Sequence, residues 1–179
     1  MYFGIEKNGL SLNEISAAVK GTPYNFPRED TFVYHVCTDT RKNPALSLFI
    51  ALKGENYDGH DFIQKAYSKG SICVVTDRII NTEKPFIVVE DTLTAYGQIS
   101  SVYKKKFKLL TVAVTGSVGK TTTKELTASV LKKKYKLLYT QGNLNNHIGV
   151  PLTILQLKKE HSLAIIEMGA NHPGEIRTL

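Results

Sequence analysis

Leu109-Leu110-Thr111-Val112-Ala113-Val114-Thr115-Gly116-Ser117-Val118-Gly119-Lys120-Thr121-Thr122 passes from an apolar, β-prone run through a glycine turn to a lysine and two threonines. Leu109 to Val114 reads as a strand buried on both faces, as in parallel sheets covered by helices. Glycines at 116 and 119 let the backbone curl until successive N–H groups converge on one point, and a helix opening at Gly119 adds the positive end of its dipole. This is the geometry of a phosphate-binding loop. In that reading Thr115, Gly116, Ser117, Val118, Gly119, Lys120, Thr121 and Thr122 cradle ATP, Lys120 reaches the β- and γ-phosphates, and the Thr121 hydroxyl ligates Mg²⁺. The usual pattern G-x-x-x-x-G-K-[ST] puts its first glycine where this chain has Val114; here the glycine comes two residues later, at Gly116. The competing reading is a glycine-rich turn with an incidental lysine.

Strand and helix alternate on both sides of this motif. Downstream, Leu137 to Thr140 reads as a strand, Gln141 to Gly149 as a polar loop, Pro151 to Leu157 as a helix, and Leu163 to Met168 as a strand beside the loop's own strand. Glu167 then falls at the carboxyl end of a parallel strand, where ligands bind, and is a candidate second metal ligand. Asn171 and His172 read as a capping turn before Pro173. The loop around Asn143, Asn145 and Asn146 supplies neutral amide donors and acceptors suited to a peptide or sugar, with a turn-rich connector as an even competitor.

Upstream, Ser11-Leu12-Asn13-Glu14 has capping-box spacing for a helix to about Lys20, and Gly21 to Asp30 reads as a loop. Phe32 to Val36, Leu46 to Leu52, Ile72 to Thr76 and Phe86 to Val89 read as strands, and His60 to Ser68 as a helix stopped by Gly70. Leu93, Tyr96, Ile99, Tyr103 and Phe107 recur at helical spacing, so Thr92 to about Lys106 closes this first unit. The fold class is α/β: a small N-terminal α/β domain over residues 1–108, then a parallel-sheet phosphate-loop domain over 109–179. The chain ends about one turn into a helix opened by Pro173, so the second domain is expected to be the first part of a larger one.

Composition sets the bounds. With 179 residues, 42% hydrophobic and 22% charged, the chain is an ordinary folded protein with room for one or two small domains. No run approaches the ~18 apolar residues of a membrane span, and two cysteines, Cys37 and Cys73, are too few for a disulfide framework or a four-ligand zinc site. The net charge of +7 is concentrated: residues 104–136 hold ten lysines and one acid, which leaves −2 elsewhere. Lys104–Lys106 and Lys132–Lys134 fall at expected helix ends, where cations complement the dipole, so solvated helix ends are favoured over a nucleic-acid surface.

Three strings, TGSVGKTTTKE, GNLNNHIGVPLTIL and EMGANHPGE, together resemble the ATP-binding central domain of the Mur ligases. Thr38 to Lys42, Leu48 to Gly54 and Tyr57 to Phe62 resemble the family's N-terminal UDP-binding domain. The resemblance implies a cytoplasmic, monomeric, ATP- and Mg²⁺-dependent ligase of peptidoglycan precursor synthesis, without a nucleic-acid partner or membrane span. GNLNN inclines the match toward the branch that joins D-Ala-D-Ala to UDP-MurNAc-tripeptide through an acyl phosphate. The branch adding the third peptide residue, or a non-catalytic nucleotide-binding module, is the alternative. It further implies that Lys120 and Glu167 are catalytic, that Thr121 and Glu167 hold metal, and that Thr40, Arg41, Lys53, Gly54 and His60 receive the UDP moiety. Asn143, Asn145 and Asn146 are implied to face the muramoyl peptide. Arg41 offers a bidentate fork for diphosphate and His60 a ring or donor for uracil, although Asp39-Thr40-Arg41 also reads as a turn with a surface ion pair. The family's further histidine, carbamylated lysine and C-terminal domain have no counterpart in these residues, so this stretch is expected to bind more than it catalyses.

Overall fold

A computed structural model describes residues 2–4, 9–54 and 56–179. The chain divides into two compact units, Met1–Ile99 and Ser100–Leu179. The division falls inside a helix, Thr92–Lys105, whereas the sequence reading set the boundary after that helix, near Lys108.

The first unit contains β1 (Tyr2–Gly4), β2 (Leu10–Ser11), α1 (Leu12–Val19), β3 (Thr22–Tyr24), β4 (Phe32–Val33), β5 (His35–Cys37), β6 (Ser47–Ile50), α2 (Ile63–Ser68), β7 (Ser71–Thr76) and β8 (Phe86–Val88), followed by α3 (Thr92–Lys105). Its main sheet has the order β1-β5-β6-β7-β8-β3. Strands β5 to β8 are mutually parallel, and β1 and β3 close the edges antiparallel. Ser11 caps α1 as its spacing requires, its hydroxyl accepting from the Glu14 N–H at 3.1 Å. The reading of Gly21 to Asp30 as a pure loop is corrected by β3. Pro23 lies within this edge strand, where a missing N–H is tolerated, and Tyr24 stacks on Phe86 with ring centroids 4.7 Å apart. Behind the sheet Cys37, Phe49, Ile63, Tyr67, Val74 and Phe86 form one buried cluster. Burial pushes the Cys37 thiol up to about 11.

The second unit contains β9 (Leu110–Val114), α4 (Lys120–Leu131), β10 (Leu137–Tyr139), α5 (Gly149–Ile154), β11 (Leu163–Glu167) and α6 (Glu175–Thr178). Its parallel sheet has the order β10-β11-β9, with Glu167 opposite Val114. The strand buried throughout is β11. The expectation that Leu109 to Val114 is buried on both faces is not met among the described residues: β9 is only partly covered and Leu110 is 68% exposed. Of the clustered lysines, Lys104 and Lys105 occupy the last turn of α3, and Lys132 to Lys134 follow the end of α4. Lys124 is fully buried.

Candidate functional site

The turn from β9 to α4 depends on two glycines with positive φ, Gly116 at 148° and Gly119 at 78°. A side chain at Gly119 meets nothing within 4 Å, so backbone conformation rather than space selects glycine there. Gly119 precedes the first residue of α4, and its carbonyl accepts from the Thr123 N–H at 2.9 Å. The exposed Lys120 ammonium folds back to donate to the Gly116 carbonyl at 2.7 Å. Loop amides, the start of a 12-residue helix and the Lys120 ammonium thus share one rim, which is an anion-binding arrangement.

Beside it stands Glu167, fully buried at the end of β11. Its Oε1 accepts from the Thr121 hydroxyl at 3.0 Å and from the Asn145 amide at 2.8 Å. Its Oε2 is buried with no hydrogen-bond partner and lies 3.6 Å from the Lys124 ammonium. The Glu167 N–H donates to the Thr140 hydroxyl at 2.9 Å, which fixes the strand end itself. A carboxylate oxygen with unused lone pairs and a threonine hydroxyl are hard oxygen donors of the kind Mg²⁺ takes, so these residues fit such a cation.

Asn145 reaches Glu167 because the loop after β10 is tightly constrained. The Asn145 N–H donates to Asn143 O at 2.8 Å and the Gly169 N–H to Asn145 O at 2.8 Å. Asn146 Oδ1 accepts from the N–H groups of Ile148 at 3.2 Å and Gly149 at 2.9 Å, capping the start of α5. Asn143 is exposed. Sequence reasoning grouped the three asparagines; their side chains are used differently. Lys124, one of the ten lysines of the basic stretch 104–136, is buried beside this loop. The available signal was helical spacing, since Lys124 shares a face with the buried Ala128 four residues on. The N–H groups of Asn171 and His172 donate to Glu175 Oε2 at 2.7 and 3.2 Å, and these bonds lower the Glu175 pKa.

In the first unit the other candidates follow the carboxyl ends of neighbouring parallel strands. After β5, Asp39 caps the short 3₁₀ turn Thr40–Lys42, with Thr40 buried. Arg41 extends into solvent yet is paired: its Nε is 3.0 and 2.9 Å from the two Asp39 carboxylate oxygens and its Nη2 is 2.6 Å from Oδ2. This is the surface ion pair that the sequence also allowed, and it holds the Asp39 carboxyl down at about 2. After β6, the backbones of Lys53 and Asp58 pair in a single antiparallel bridge across a loop and the Gly54 N–H donates to Tyr57 O at 2.9 Å; Glu55 lies outside the described residues. His60 is nearly buried, with Nδ1 hydrogen-bonded to Asp58 Oδ1 and Nε2 3.0 Å from Asp77 Oδ1, and Arg78 binds both of those aspartates. The ring or donor that His60 was expected to offer a uracil therefore has both its nitrogens partnered inside the chain.

Two family models match: the Mur ligase family catalytic domain over residues 32–118 and the Mur ligase middle domain over 114–179. Curated UDP-N-acetylmuramoyl-tripeptide–D-alanyl-D-alanine ligases are similar throughout. That of Buchnera aphidicola is 46% identical over 93% of this chain and 36% of its own length. That of Bacillus subtilis is 42% identical over 94% of this chain and 38% of its own. Among solved structures, MurF from Acinetobacter baumannii superposes with a TM-score of 0.83 at 35% identity, over 99% of this chain and 38% of that one. MurF from Thermotoga maritima in complex with ADP gives 0.74 at 33% identity, over 80% of this chain and 34% of that one. The chain thus spans well under half the length of these relatives.

Proposed function

The chain belongs to the Mur ligase family, and from that premise we propose that it is the nucleotide- and UDP-substrate-binding part of an ATP-dependent ligase joining D-Ala-D-Ala to UDP-MurNAc-tripeptide. The observation that carries this reading is the single cluster of phosphate loop, Thr121, Glu167 and Asn145 at the carboxyl ends of β9 and β11.

The reaction has a charge problem: a carboxylate must approach a triphosphate. The amides of Thr115 to Gly119 and the Lys120 ammonium, released from Gly116 O, bind the phosphates and spread the charge of the transferred phosphoryl group. Thr121 and Glu167 hold Mg²⁺, which when bound neutralises charge on the phosphate oxygens. The terminal carboxylate of the tripeptide takes the γ-phosphoryl group, forming an acyl phosphate and ADP. The D-Ala-D-Ala amine then attacks the carbonyl, an amide forms, phosphate leaves, and the amine gives up a proton. Thr40, Arg41, Lys53, Gly54 and His60 mark the UDP end, in which Arg41 leaves Asp39 for the diphosphate and His60 shapes the pocket wall. Asn143 and Asn146 line the peptide end. We assign the protein to the cytoplasm, where ATP is supplied, and to a monomeric state. No helix among the described residues is long and apolar enough to cross a membrane.

The test is phosphate release by the full-length protein that contains this stretch, with ATP, Mg²⁺, either UDP-MurNAc-tripeptide or UDP-MurNAc-dipeptide, and each amino donor in turn. Release that depends on D-Ala-D-Ala is the expected result. Release driven instead by a single amino acid on the dipeptide substrate overturns the assignment in favour of the branch that adds the third residue.

A further inference from the structure

The buried lysine of α4 has no part in that scheme, yet its place is costly. An ammonium without solvent loses its hydration, and an apolar side chain fills such a position without that loss. Lys124 Nζ donates to Thr140 O at 2.8 Å and Gly142 O at 3.2 Å and lies 2.9 Å from Glu125 Oε1. An ammonium has three N–H groups. These contacts use all three, so the 3.6 Å approach to Glu167 Oε2 carries charge without a hydrogen bond. Both carbonyls belong to the end of β10 and the start of the loop that delivers Asn145 to Glu167 Oε1, three residues past Gly142. Lys124 is also one turn along α4 from Lys120 and Thr121, so it fastens that loop to the helix bearing the phosphate-binding residues.

We propose that Lys124 is a positioning residue for the nucleotide–cation site: by anchoring the loop it keeps Asn145 on Glu167 Oε1, and so holds that carboxylate beside the Thr121 hydroxyl for a cation. The inference rests on the functional reading above and deepens it. Its signature is selective. Phosphate contacts from the loop amides and Lys120 do not pass through Lys124, whereas the contribution of the cation does.

The experiment is calorimetric binding of ADP to the intact polypeptide in magnesium and in a chelator, for the unmodified protein, Lys124→Met and Asn145→Ala. The unmodified protein binds more tightly with magnesium. In Lys124→Met that gain falls about tenfold, equivalent to about 1.4 kcal/mol, while magnesium-free affinity stays within about twofold. Asn145→Ala, which cuts the link at its far end with Lys124 in place, shows the same selective loss and decides the matter if Lys124→Met does not fold. A magnesium gain that is unchanged or enlarged in a folded variant overturns the proposal, as does a parallel loss of both affinities. No ADP binding by the unmodified protein overturns the functional reading as well, a result distinct from binding that the variants leave untouched.

Discussion

Gly149→Ala places a methyl group where the backbone of another segment already runs. Built on this backbone, the new Cβ lies 2.3 Å from Leu144 C, 2.5 Å from Leu144 Cα and 2.6 Å from Leu144 O. Carbon–carbon contact begins near ~3.5 Å, so the two chain segments must separate by about 1 Å. Neither can do so freely. Gly149 opens α5 with its N–H on Asn146 Oδ1, and residue 145, next to Leu144, is bound to Glu167 and Gly169. Overpacking of this kind costs about 1–3 kcal/mol, and with backbone rather than a flexible side chain in the way the upper end applies. For a unit of this size about 3 kcal/mol lowers the melting temperature by roughly 12–24 °C. Differential scanning calorimetry should show the loss in the transition of residues 100–179 only, accompanied by a weaker magnesium-dependent gain in ADP affinity. A melting temperature within about 2 °C of the unmodified protein refutes the reasoning, because a cost near 3 kcal/mol cannot hide in so small a shift.

Gly97→Ala should act in the opposite direction: the position lies inside α3, a Cβ there meets nothing within 4 Å, and thermal denaturation should show a gain of about 0.5–1 kcal/mol. Asp39 has a pKa lowered to about 2 by Arg41, and Asp58 is lowered chiefly by its bonds to His60. Their contribution is present above the ordinary carboxyl pKa near 3.8 and lost as pH falls through the folded-state values. Asp39→Asn should therefore flatten the acid dependence of first-unit stability between about pH 4 and 2, measured by circular dichroism. An unchanged acid profile contradicts the pairing with Arg41.

The local signals that proved legible all have short-range causes. Capping at Ser11, the stop at Gly70 and the glycine turn into α4 follow from residue types within a few positions. What escaped depends on partners distant in sequence. Thr22–Tyr24 forms a strand because β8 offers an edge that accepts Pro23, which no local propensity reports. Asp77 meets His60 from the next strand end, seventeen residues along. The apolar run Leu110–Val114 has the composition of a strand covered on both faces, but coverage comes from elements distant in sequence, and among the described residues β9 is only partly covered. Lys124 is one lysine among ten in a basic stretch until the turn ending β10 brings two carbonyls over it.

The central claim is that the backbone before Lys120 grips a nucleotide's phosphates with Thr121 and Glu167 holding the accompanying cation. Titration calorimetry of the intact polypeptide with ATP and magnesium tests it most directly. The account predicts saturable one-to-one binding that Lys120→Ala abolishes while the thermal transition is retained; no heat from the unmodified protein, or undiminished binding by Lys120→Ala, contradicts it.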